Sequence, residues 1–197
     1  MRLLTVFSLL LALALPSQAQ STHPKDLVKS VSDVVLKEIL ANKDKLDQGP
    51  SFLLSLVETH MLPIIDQERM AKMALGKHWG TINEQQQKNF IEGFKRLMIK
   101  TYAGAFKAYT GQEVTYGETK FNKTGSKAIV SSAIQMAGGS PVNLQYRLYQ
   151  NNDGKWMVYD ANLAGLGVLK TYRMQFAEQI QKDGIDKTIE NLLALEL

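Results

Sequence analysis

The sequence has no cysteine among its 197 residues. That excludes disulfide frameworks, zinc fingers, thiol redox motifs and a cysteine nucleophile. Histidine is nearly as scarce, with only His23, His60 and His78. His60 and His78 lack the HExxH spacing of a metal-binding helix and read as polar residues at helix ends, so no metal site is expected. Charge of one sign is also in short supply. Lys and Arg number 23 against 19 Asp and Glu, and the net +4 is a weak field over this length. The lysines alternate with acids, so no nucleic-acid partner is expected. Gly165-Leu166-Gly167 lacks a third glycine and the Lys-Ser/Thr ending of a phosphate loop. Ser131-Ser132 stand outside any G-x-S-x-G turn, which leaves no serine nucleophile and no catalytic set.

Long apolar runs are missing except at the start. Met1-Arg2 supplies a positive beginning, and Leu3 to Leu15 run apolar but for Thr5 and Ser8. Ser17 and Ala19 then place small residues three and one positions before a cut. This is the pattern of a secretory signal peptide over residues 1–19, cleaved after about Ala19. The 13 apolar residues fall short of the roughly 20 of a membrane span. Cutting there leaves 178 of the 197 residues and a charge of +3, since only Arg2 is lost. The expectation is an exported, periplasmic protein with residues 20–197 as a single domain. With 45% apolar and 21% charged residues, that domain is globular.

Pro24 opens a helix with Leu27, Val31, Val34, Val35 and Ile39 at helical spacing. Asn42 to Gly49 reads as a polar stop. A second helix begins at Pro50-Ser51 and is interrupted by Pro63, and a third runs from Asp66 to Leu75 and ends at Gly76. Thr81 and Glu84 match a capping box. The longest helix follows, from about Glu84 to Tyr109, with Phe90, Phe94, Leu97, Met98, Tyr102, Ala105, Phe106 and Tyr109 as its stripe.

The period then changes to two. Val114–Phe121, Ala128–Met136, Val142–Tyr149 and Lys155–Asp160 read as four strands joined by turns at 122–125, 137–140 and 151–154. Short polar turns imply an antiparallel meander. Val130 and Ile134 share a face, as do Leu144 and Tyr146, and Trp156 with Val158. Helix returns over Val168–Lys182 and again after Gly184. The fold class is therefore α+β, a four-stranded curved antiparallel sheet with about six helices packed on it. Asp160 at a strand end and Arg173 on the next helix read as a structural ion pair.

Three stretches carry a family resemblance. Leu75-Gly76-Lys77-His78-Trp79 leads to Gln86, Phe90 and Phe94. Thr101-Tyr102-Ala103 is followed by Tyr109-Thr110-Gly111. Trp156-Met157-Val158-Tyr159-Asp160 precedes Gly165 and Tyr172-Arg173-Met174-Gln175-Phe176. In this order and spacing, from Pro24 to Leu193, they resemble the MlaC family, also called the toluene-tolerance (Ttg2) family, of the Mla lipid-transport system. Gly167 and Thr171 depart from the Ser and Asn common in the family.

The resemblance implies an NTF2-like, cone-like fold enclosing an apolar lipid pocket, with bound phospholipid as cargo and no cofactor. It implies a shuttle between an outer-membrane lipoprotein–porin complex and an inner-membrane ABC transporter complex with its MCE-type substrate-binding protein. It turns part of the inward apolar set into pocket wall: Phe94, Met98, Tyr102, Phe106, Val130, Ile134, Leu144, Tyr146, Trp156, Leu166, Val168 and Tyr172. Met98, Met136, Met157 and Met174 suit a deformable lining. The residues alone leave two other readings open, a periplasmic chaperone or adaptor and a small-molecule enzyme on an NTF2-like fold.

Overall fold

A computed structural model describes residues 22–136 and 138–196. The expected signal peptide with its cut after about Ala19, and Ala137 of the second turn, lie outside the described residues.

Helix α1 (Pro24–Ala41) starts with proline where the missing amide is harmless, capped by His23. It buries Val28, Val35 and Ile39. Val34, expected on that stripe, is exposed because it stands about 100° around the helix from Val35. The expected polar stop contains a further short helix, α2 (Lys43–Asp47), formed because Leu46 finds a buried site. Helix α3 (Ser51–Leu56) runs on as a π-helical turn and then a 3-10 turn at Pro63. Helix α4 (Gln67–Leu75) is capped by Asp66, whose carboxylate accepts from the Arg69 amide at 2.9 Å. Helix α5 (Glu84–Ala108) carries a capping box, but Asn83 and Gln86 form it, not Thr81 and Glu84. The Thr81 hydroxyl is engaged with the His78 carbonyl in the preceding 3-10 turn, so the cap falls to Asn83 while the helix starts at Glu84 as expected.

Among the described residues six strands replace the expected four. The first expected strand is interrupted at Gly117–Thr119 into β1 (Val114–Tyr116) and β2 (Lys120–Phe121), both paired with β3 (Lys127–Ile134). Then come β4 (Val142–Gln150), β5 (Trp156–Leu163) and the two-residue β6 (Leu166–Gly167). The order is β1-β3-β4-β5-β6, antiparallel throughout. Strand β5 outlasts its expected end at Asp160 because Tyr159 is an extra residue: Leu148 pairs with Val158 while Arg147 pairs with Asp160. Such a bulge bends its strand and restores the face alternation beyond it. Helices α6 (Val168–Asp183) and α7 (Ile185–Leu193) complete the chain, giving seven α-helices among the described residues.

Three apolar clusters hold these elements. In the first, α4 to α7 close around Phe90, Phe94, Tyr172 and Phe176, whose rings meet at 5.1 to 6.0 Å. There Gly93 admits α7: a Cβ on it would stand 2.6 Å from Leu192 Cβ. The second joins the last half of α1, α2, α3 and the far half of α5 through Val35, Ile39, Leu46, Leu53 and Ile99. The third packs Val28 of α1 onto Ala128, Val130, Leu148, Trp156 and Val158 of the sheet.

Candidate functional site

Antiparallel register sorts the helix-facing side of the sheet into rows, because directly opposed residues share a face. One row is Ala128, Leu148 and Val158, and the next is Val130, Tyr146 and Ala161. A third runs Tyr116, Ser132, Leu144, Leu163 and Leu166, and a fourth Val114, Ile134 and Val142. Burial falls along this series. Val130 and Leu148 are fully buried, Tyr146, Leu144, Leu163, Ile134 and Val142 are half-buried, and Leu166 is 69% exposed. The sheet therefore begins as core and ends as an apolar face without full cover.

Helix α5 shows the same change. Phe90 and Phe94 are buried in the first cluster, whereas Met98, Tyr102 and Phe106 are half-buried at cluster edges. Between α1, the end of α5 and β1 lies an open groove of about 560 Å³, lined by Asp33, Leu36, Lys37, Leu40, Ala41, Tyr109 and Val114. Val114 belongs to the fourth row, so groove and open sheet face are continuous. Ordinarily a domain of this size builds one contiguous core. Here three clusters meet along a seam of half-buried apolar side chains.

Asp33 and Lys37 stand at the groove, and hydroxyls supply the polarity along the sheet and α5. Burial pushes the Tyr146 hydroxyl up in pKa, opposed by the neighbouring Ser132 and Ser32 hydroxyls. Burial likewise raises Tyr102, with Tyr172 beside it, and Tyr116. All three remain neutral at physiological pH. The Tyr172 hydroxyl donates to Thr101 at 3.1 Å, linking α6 to α5. Among the described residues, no group of His, Asp or Glu is placed to hold a metal ion, and no helix is long and apolar enough to cross a membrane. The arrangement suits long apolar chains held by dispersion and burial.

The twelve expected wall residues divide by position. Phe94, Val168 and Tyr172 are buried within the helical cluster, and Val130 and Trp156 within the sheet cluster. Met98, Tyr102, Phe106, Ile134, Leu144 and Tyr146 occupy the seam, and Leu166 its exposed end. Of the four methionines, Met98 alone lies on this seam. Met157 pairs with Tyr149 on the opposite face, Met136 is 43% exposed at the sheet edge, and Met174 is 65% exposed on α6. Sequence reasoning missed Leu36, Leu40 and Leu163. Leu40 lies off the α1 stripe, and Leu163 follows the bulge.

The expected Asp160–Arg173 pair does not form. Asp160 faces Arg147 across the strands at 3.6 Å and accepts from the amides of Ala161 (2.8 Å) and Leu169 (3.4 Å). Arg173 instead donates to the Met73 carbonyl at 2.7 Å, tying α6 to α4. Register decides this: the bulge brings Arg147 opposite Asp160, while Arg173 reaches a free helix-end carbonyl.

Comparison with known proteins bears on this geometry. The family model described as MlaC protein matches residues 29–194. The chain is 27% identical over 173 residues to the intermembrane phospholipid transport system binding protein MlaC of Haemophilus influenzae, covering 87% of this chain and 81% of that protein. It is 29% identical to the toluene tolerance protein ttg2D of Pseudomonas putida, over 92% of this chain and 85% of that one. A phospholipid-binding protein of Ralstonia solanacearum, solved with a phospholipid, superposes with a TM-score of 0.78 at 32% identity. That match covers 85% of this chain and 93% of the other.

Proposed function

The chain belongs to the MlaC family, and on that basis we propose that it carries phospholipid through the periplasm, its acyl chains lying along the seam between α5, α1 and the open rows of the sheet. The observation that carries this reading is the graded burial of one continuous apolar face, from Leu148 through Leu144 to Leu166. Two-class membrane traffic gives the carrier its partners: an outer-membrane lipoprotein–porin complex on one side, and on the other an inner-membrane ABC transporter complex with its MCE-type protein.

The energetics set the design. Each exposed CH₂ costs about 0.8 kcal/mol, so two chains of roughly sixteen carbons cost on the order of 20 kcal/mol in water. A carrier must bury them, yet a bilayer already does so equally well. Carrier and bilayer are then nearly isoenergetic, and direction comes from the partners. A seam of half-buried side chains with neutral hydroxyls fits that requirement. No catalytic residue is needed.

The test is a charge in the wall. Aspartate at Leu144 or Phe106 would be desolvated by an acyl chain at a cost of several kcal/mol, yet both sites are only half-buried and permit folding. At least one of Leu144→Asp and Phe106→Asp is expected to fold by circular dichroism and to hold no lipid by native mass spectrometry. Wild-type protein is expected to retain phospholipid after purification. Unfolding of both variants would make these positions ordinary core, and a folded variant that keeps its lipid would remove that residue from the wall.

A further inference from the structure

Leu166 and Met174 are the two most exposed large apolar side chains among the described residues, at 69% and 65%. Both lie beside the first half of α6, and neither lines the groove beside α1. Lys170 stands one helical turn before Met174, with its Cβ 3.5 Å from where a Gly167 side chain would begin. Arg173 adjoins Met174 and reaches across to α4, where it donates to the Met73 carbonyl and its Nε lies 3.5 Å from where a Gly76 Cβ would stand. Lys72 and Lys77 flank that backbone and are exposed. Glu68 stands one turn before Lys72 and Glu178 one turn after Met174, so the four cations against these two acids leave the face at about +2. Asp160 is occupied by Arg147.

We propose that this face, Leu166 and Met174 among Lys72, Lys77, Lys170 and Arg173, docks the protein directly on an anionic bilayer surface. The chemistry favours lipid over a protein partner. Two long apolar side chains that stand mostly in solvent suit insertion among acyl chains, and lysines on flexible stems suit a fluid anionic surface. Leu166 also ends the open row of the sheet. Docking there would place the uncovered end of the apolar face against the bilayer interior, which is the point of contact with the carrier reading and the only one.

The experiment is vesicle flotation of the mature protein. Vesicles are phosphatidylethanolamine with about 30 mol% phosphatidylglycerol, or phosphatidylcholine alone, at about 50 mM and about 500 mM salt. Wild-type protein is expected to float with the anionic vesicles at low salt only. A cation near such a surface is worth about fivefold in partitioning, so Lys77→Ala with Lys170→Ala lowers it about 25-fold. Met174→Asp lowers it at least about tenfold. Neither variant is expected to change lipid content by native mass spectrometry, since none of these residues lines the seam. Wild-type protein that ignores anionic vesicles overturns the proposal, and retention on polyglutamate resin in that case assigns the face to an acidic protein. Variants that float like wild type, or equal binding to phosphatidylcholine, also overturn it. Wild-type protein that floats but never carries lipid would defeat the carrier reading and leave the docking face standing.

Discussion

Two glycines of α5 should respond to alanine in opposite directions. In a helix interior alanine is favoured over glycine by about 0.8–1.0 kcal/mol. At Gly104 a Cβ would have nothing within 4 Å, so Gly104→Ala should realise that gain. At Gly93 the same atom would stand 2.6 Å from Leu192 Cβ, 3.3 Å from the Leu192 carbonyl carbon and 3.4 Å from the Leu193 amide. None of these is the flexible tip of a side chain, so α7 itself must move. Overpacking of that kind costs about 1–3 kcal/mol, and contact with backbone points to the upper end. The net for Gly93→Ala is a loss of about 2 kcal/mol. At about 2–4 °C per kcal/mol for a chain of this length, Tm should fall by about 4–8 °C, while Gly104→Ala should raise it by about 2–4 °C. Thermal melts followed by circular dichroism, at matched lipid content because bound ligand shifts Tm, measure both. A Gly93→Ala protein that melts at or above wild type would refute the close approach of α5 and α7.

Asp160→Asn keeps the Oδ1 acceptor for the Ala161 and Leu169 amides and loses only the ion pair with the half-exposed Arg147. Stability should drop by less than about 1 kcal/mol, and native mass spectrometry should find lipid unchanged. A folded variant without lipid would contradict this structural role. Burial pushes the Glu92 carboxyl up, but hydrogen bonds and charges from Lys95 at 2.8 Å and Arg96 at 3.3 Å outweigh it and hold the pKa below the ordinary value. A depressed folded-state pKa gives stability that is present above the unfolded value of about 4.3 and lost as pH falls through the folded one. Glu92→Gln should therefore flatten the decline of Tm below about pH 4.3; a slope equal to wild type would show that these pairs contribute nothing.

Much of the architecture is legible in local pattern, and the exceptions share a cause. The turns at Asn122–Gly125 and Asn151–Gly154 stand where their Asn and Gly residues place them. The capping motif does not, because Thr81…Glu84 and Asn83…Gln86 satisfy the same spacing and only the 3-10 turn before them decides. The partner of Asp160 depends on the bulge at Tyr159, which leaves no mark in a two-residue period. The seam is harder still. Phe94 in a packed cluster and Phe106 at an open edge are the same residue type on the same helix stripe. Periodicity reports which way a side chain faces, not what it faces, so the separation of core from wall entered through the family resemblance alone.

Helix α5 belongs to two of the three clusters: Phe90 and Phe94 to the one with α4, α6 and α7, Ile99 and Phe106 to the one with α1, α2 and α3. Its amides should therefore exchange with solvent through two different openings. A motion that parts α1 from β1 and widens the groove loosens the second cluster and the third, which packs Val28 on the sheet, while the packed rings at Phe90, Phe94 and Phe176 stay assembled. Cooperative units of this sort open with free energies below that of global unfolding. Access for a bulky guest through the groove is then expected to be subglobal, read as exchange of the α1 amides ahead of those around Phe90 and Phe94.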